Sequence, residues 1–229
     1  MSKVINYLID NFSDGKTIKG ERKMIDTLKL RKTLGWLGML LPWIVAILYM
    51  VFEVNKIYFP QSISATYYAA SCITPFMIIL GSAGLLLLTY NGYDKQDRIV
   101  CSIAGVMALM VCLFPSNTDK LSYVGTFNIP VAVSGWIHNI SAIIFFVLLA
   151  YNSFFLFTKG SGEITPNKRK RNFIFKACGI GMVASFALII PLNIFDVRTS
   201  MWIAEALALA FFGVSWLTKS QCYGWLFKD

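Results

Sequence analysis

The sequence predicts an all-α polytopic membrane protein: a six-transmembrane-helix bundle preceded by a short amphipathic N-terminal helix. Three observations predict it. The 229 residues are 56% hydrophobic and only 14% charged, with a mean hydropathy of +0.61, against about 45–50% and about 25% in soluble domains. Six apolar runs approach the ~20 residues that a helix needs to cross the hydrocarbon core. Lys and Arg fall almost wholly on alternate connecting segments. A soluble globule of this length would have more apolar surface than it could bury. Aromatics at 15% and an odd five cysteines fit neither disorder nor a disulfide-stapled secreted fold.

The runs follow in order. Residues 1–33 form a polar to amphipathic segment, expected on the cytoplasmic side. Within it Met24, Ile25 and Leu28 lie among Glu21, Lys23, Asp26 and Arg31. That spacing suits a short interfacial helix, and a solvated basic linker fits as well. The segment is too long and too charged for the start of a cleaved signal peptide, so the first helix is expected to stay as an anchor. The transmembrane domain spans residues 34–218. Its first run extends from Leu34 to Phe52, the second from Tyr67 to Tyr90, and the third, near the short limit, from Arg98 to Phe114. The fourth covers Trp136 to Phe157, the fifth Phe173 to Leu192, and the sixth Ser200 to Thr218. Residues 219–229 form a tail. Stretches such as Ile78-Ile79-Leu80 are continuous, not alternating, which favours helices over barrel strands.

Turns punctuate the runs. Asn91-Gly92-Tyr93-Asp94 makes the second and third helices antiparallel neighbours. Gly160 to Asn167 reads as a flexible turn, and the following Lys168-Arg169-Lys170-Arg171 sets topology or meets acidic head groups. Pro75, with Gly81 and Gly84, can kink the second helix. The five cysteines show no CxxC spacing and read as small packing residues.

Orientation follows from charge. Of 21 Lys and Arg residues only Lys56, Lys120 and Arg198 lie on one side, leaving eighteen with the two termini. Both termini are therefore expected in the cytoplasm, with the protein in the plasma membrane. The net charge of +9 then meets the anionic leaflet, at about 1 kcal/mol per residue near the surface. No basic soluble domain is present that would read nucleic acid.

An ionisable residue inside a span is expensive and points to a functional site. Glu205 lies about one and a half turns into the sixth run, between small alanines. It reads as a functional group or as a structural hydrogen bond to a neighbouring helix. His138, the only histidine, starts the fourth run beside Asn139 and Ser141. It can bond Glu205 or a ligand, or face interfacial water. Ser62, Ser64 and Thr66 precede the second run and can cap it. Set against Glu53, Tyr67, Tyr68 and His138, they can instead line an outward-facing polar pocket, to which Asn193, Asp196 and Arg198 add polarity.

Several chemistries lack their residues. One histidine supplies neither an intramembrane zinc set nor a bis-histidine haem. A Ser62 or Ser64 dyad with His138 has no nucleophile elbow beside it. No mid-span lysine is available for a Schiff base, and phosphate-loop and dinucleotide motifs are absent. No repeat relates residues 34–114 to 136–218, as many transporters would require.

The series Ser62-Ile63-Ser64-Ala65-Thr66-Tyr67-Tyr68, Tyr90-Asn91-Gly92-Tyr93-Asp94, Ala104-Gly105 and Leu113-Phe114-Pro115 resembles a bacterial family of uncharacterised six-span proteins. His138 before Ser141-Ala142 and Phe145-Phe146, then Thr158-Lys159, Pro166 to Arg169 and Cys178-Gly179, continue the likeness over residues 60–180. The resemblance implies the six-span fold and carries no activity. More distantly, the architecture is similar to Frag/DRAM/Sfk-type membrane proteins linked to lipid handling, an analogy of fold only.

The sequence thus leads to a non-enzymatic, cofactor-free protein that binds a membrane lipid or small amphiphile in an outward-facing pocket. Glu205, His138, Asn139, Ser62, Ser64 and Tyr68 are its candidate residues. A small transporter or ion pathway using Glu205 is the alternative. A structural or signalling subunit that recognises a partner through its Gly- and Ala-rich helix faces is the third; the partners expected are membrane lipids and, as an option, further copies in a homo-oligomer.

Overall fold

The computed structural model describes residues 26–54, 58–92, 94–160 and 165–224. Among these, six helices are long and apolar enough to cross a bilayer. They are α1 (Asp26–Glu53), α2 (Ala70–Leu88), α3 (Lys95–Leu113), α4 (Val131–Leu156), α5 (Pro166–Ala187) and α7 (Ser200–Lys219); the short α6 (Ile189–Ile194) prolongs α5. The fold is an all-α bundle of an integral, multi-pass membrane protein. Its small sheet is a hairpin of two-residue strands, β1 (Tyr123–Val124) and β2 (Ile129–Pro130), between α3 and α4.

The helix ends depart from the hydropathy runs where polar caps decide. α3 starts at Lys95, earlier than Arg98, because Asp94 caps it by accepting the Asp97 amide at 2.9 Å. α5 starts at Pro166, earlier than Phe173. Thr165 accepts the Lys168 amide at 3.2 Å, and Pro166 sits at a first-turn position where its missing N–H costs nothing. α5 ends at Ala187 and α6 follows it; Pro191 has no N–H to give and its ring crowds the carbonyl four residues back. Tyr67 and Tyr68, expected at the start of the second span, lie instead in a 3₁₀ turn (Ser64–Tyr68). Ser62 caps that turn, accepting the Ala65 amide at 2.9 Å, while α2 itself has no side-chain cap.

From Asp26 onward the expected interfacial segment runs without a break into α1, whose last turns are π-helical from Tyr49. Met24, Ile25, Tyr93 and most of the Gly160–Asn167 turn (161–164) lie outside the described residues, as do residues 225–229.

Close approach of backbones holds the helices together. The turn before α3 folds it back along α2, as expected, where Gly84 faces Gly105. A Cβ on Gly105 would meet the Gly84 carbonyl at 2.6 Å. Gly35 and Gly38 of α1 make room for Leu217 and Phe212 of α7. In lipid, where helices gain little from mutual hydrophobic burial, such contacts and hydrogen bonds carry the packing. Leu34, Val45, Phe76, Leu87, Met182, Phe212 and Trp216 form its buried centre. Cys72, Cys101, Cys112 and Cys178 are buried and free; Cys222 is exposed.

The lysine-rich end is tied by charge. Arg31 donates to the Tyr90 hydroxyl at 3.1 Å, and Lys219 to the Phe157 carbonyl at 3.0 Å. Lys159 pairs with Asp94 at 2.8 Å and Asp97 at 3.5 Å. The connections around residues 58–69, 114–130 and 195–199 gather at the opposite, lysine-poor end.

Candidate functional site

At the lysine-poor end α4 and α7 both lean on α5 and meet each other only sparingly. A cavity of about 860 Å³ fills the wedge between them. Such a volume lies in the upper part of the range for small-ligand sites, about 300–1,000 Å³.

Its roof is polar. The stretch after α1 contributes Gln61, Ser62 and Ser64, the stretch after α3 contributes Ser116 and Asn117, and α4 brings His138 and Asn139. Arg198 precedes α7, and Glu205 projects from its second turn. The lower wall is hydrocarbon: Ala142, Ile143, Phe146 and Val147 of α4 face Met182, Val183 and Phe186 of α5. Ile143 (64% exposed), Val147 (56%) and Val183 (60%) also stand on the flank of the bundle, so the cavity opens sideways.

Two hydrogen-bonded seams hold the roof. In the first, Glu205 anchors the stretch after α1. Its carboxylate accepts the Ile63 amide at 2.5 Å and the Ser64 hydroxyl at 3.2 Å. The Trp202 amide donates to the Gln61 carbonyl at 3.0 Å, and the Trp202 indole packs on Phe59 at 4.6 Å and Trp43 at 5.7 Å. In the second, α4 holds the stretch after α3. The Phe114 carbonyl accepts from Nδ1 of buried His138 at 2.7 Å, and a carbonyl can only accept, so Nδ1 carries the proton. Ser134 donates to the Pro115 carbonyl at 2.8 Å. Gly135 has no side chain because Asn117 occupies the space where a Cβ would stand.

The structure brings five of the six candidate residues to one wall: Ser62, Ser64, His138, Asn139 and Glu205. Tyr68 is not on that wall. Its hydroxyl donates to the Ser116 carbonyl at 2.5 Å, one layer behind, and burial raises its phenol above the ordinary range. His138 and Glu205 share the cavity, yet each bonds a different connecting stretch. Glu53 stands apart and accepts from the Ser71 amide and hydroxyl, both at 2.8 Å. Asn193 accepts from the Ser200 hydroxyl at 2.6 Å, and neither it nor Asp196 lines the cavity.

Sequence reasoning missed Asn117, Ser116 and the α5 wall. The glycine at 135 was the one available trace of Asn117. Met182, Val183 and Phe186 look like any lipid-facing residues until α4 is placed beside them. Among the described residues no three His, Cys, Asp or Glu side chains converge to hold a metal ion.

Comparison with family models, with curated proteins and with solved structures gave no match.

Proposed function

We propose that this membrane protein binds a lipid or a single-chain amphiphile in the wedge between α4, α5 and α7. The observation that carries the reading is the gradient within one cavity. Amides, hydroxyls and two charged side chains crowd its roof, hydrocarbon lines its lower wall, and the mouth opens on the flank that would face acyl chains. A head group then replaces its water with the roof's polar groups while the chain leaves the bilayer for another apolar wall. Ser62, Ser64, His138, Asn139 and Glu205 shape the roof; Glu205 and His138 do so by fixing the two stretches that carry the rest. The lysine-rich end is assigned to the cytoplasm and the cavity to the outer leaflet of the plasma membrane. An impermeant thiol reagent then labels exposed Cys222 only where the cytoplasmic face is open to it; labelling in intact cells reverses the orientation.

A through-path using Glu205 has less support. Beyond Glu205, towards the lysine-rich end, α7 buries Ala208, Leu209, Phe212 and Trp216.

The test fills the cavity without touching the roof. Val183→Trp and Ala142→Phe place bulk into the lower wall. Purified from native membranes, both variants are expected to retain at least about fivefold less lipid by native mass spectrometry, with thermal midpoints in detergent near that of the parent protein. Unchanged retention in both removes the cavity from the account.

A further inference from the structure

Resting on that reading, we infer that the head group preferred by the cavity is anionic, held by Arg198. Two charged side chains line the cavity, and they are not equally available. Glu205 is already engaged. Both its oxygens accept from the stretch after α1, through the Ile63 amide and the Ser64 hydroxyl, so its carboxyl group is committed to holding the roof. Arg198 is exposed, and its guanidinium stacks over the Tyr58 ring at 5.3 Å. Among the described residues it has no carboxylate partner and no hydrogen-bond acceptor.

The contact with the Tyr58 ring holds the guanidinium without using any of its N–H groups, which stay available to a ligand. Those groups suit a phosphate or carboxylate, which they can meet with two parallel hydrogen bonds. Asn117 and Asn139 add neutral amides to the lining of the same cavity, and amides hydrogen-bond a phosphate or glycerol oxygen without demanding charge. From Trp136 to Val147 the α4 wall runs for about 16 Å at 1.5 Å per residue, enough for one extended chain below the head.

The experiment titrates the full chain, in nanodiscs of phosphatidylcholine, with lysophosphatidylglycerol, lysophosphatidylethanolamine and lysophosphatidylcholine of one chain length. Native mass spectrometry reads occupancy. The parent protein is expected to prefer lysophosphatidylglycerol by about tenfold, as one charge-assisted contact would give. Arg198→Gln is expected to level the three affinities, and Arg198→Lys to keep most of the preference. Equal binding of all three by the parent protein, or a preference that survives Arg198→Gln, overturns the assignment. So does a preference for lysophosphatidylethanolamine, which would point to Glu205 as an ammonium acceptor. Val183→Trp separates this failure from a failure of the cavity. If it expels all three lipids while the parent binds them equally, the charge assignment alone falls; if neither it nor Ala142→Phe expels any of them, both readings fall.

Discussion

Single residues in this protein are set by what their polar atoms can reach. Glu205 is affordable inside a helix because two elements meet at it: α7 carries it, and the turn at Ile63 and Ser64 delivers the donors. Its position in an apolar run made it legible in the sequence as a special residue. Its partners were not legible, since the Ile63 amide is a backbone group and no side-chain pattern announces it. Outside the spans, Asp94 gives a sharper case. Lys159 beside it, and then the Asp97 amide, hold its carboxyl down to about 2. An acid whose native value is depressed stabilises the fold above its unfolded value of about 4. That contribution is expected to be complete at neutral pH and to vanish as pH falls from about 4 towards 2. Lys159, raised by the same pair, contributes below its ordinary range and loses that contribution in strong alkali. Acid unfolding of Asp94→Asn checks this: the variant should lack the parent's loss of stability in that acid window, and an identical acid limb would contradict the pair's role.

Helices and turns show where pattern reading stops. Length and hydropathy located every span, because the bilayer imposes both. They misplaced the ends of α3 and α5, where Asp94 and Thr165 with Pro166 extend a helix into polar sequence. They also read Tyr67 and Tyr68 as helix when the Ser62 cap holds them in a tighter turn. Gly84 read as part of a kink with Pro75 and Gly81, and Gly105 as part of the Ala104-Gly105 pair; their packing role emerges when α2 and α3 are placed side by side. Gly105→Ala drives a Cβ against the Gly84 carbonyl, where nothing flexible can yield. We expect a loss of about 1–3 kcal/mol, typical of overpacking. Gly81→Ala, on the same α2 helix with nothing within 4 Å of the new Cβ, is the control and should be neutral or slightly stabilising. Equal effects of the two substitutions in denaturant unfolding would remove the α2–α3 contact from the account.

At the scale of the molecule the asymmetry between the two ends is the main result. One end gathers basic residues around the Arg31–Tyr90 and Lys159–Asp94 contacts. The other gathers three connecting stretches over a cavity. The sequence exposed this division through lysine counts and through polar residues that sort to one end. It could not expose the wedge itself, which exists because α4 and α7 both lean on α5 and meet each other only sparingly. No local pattern encodes which helices pack closely and which only sparingly.

The wedge is therefore where the account is most directly tested. A lysophospholipid carrying a photoreactive diazirine along its acyl chain is activated in membranes containing the protein, and the attached residues are read by peptide mass spectrometry. Adducts are expected to concentrate on Phe146, Val147, Met182, Val183 and Phe186, and to be suppressed by Val183→Trp. Adducts spread evenly over the outward faces of α1, α2 and α3, with no enrichment between α4 and α5, would contradict it.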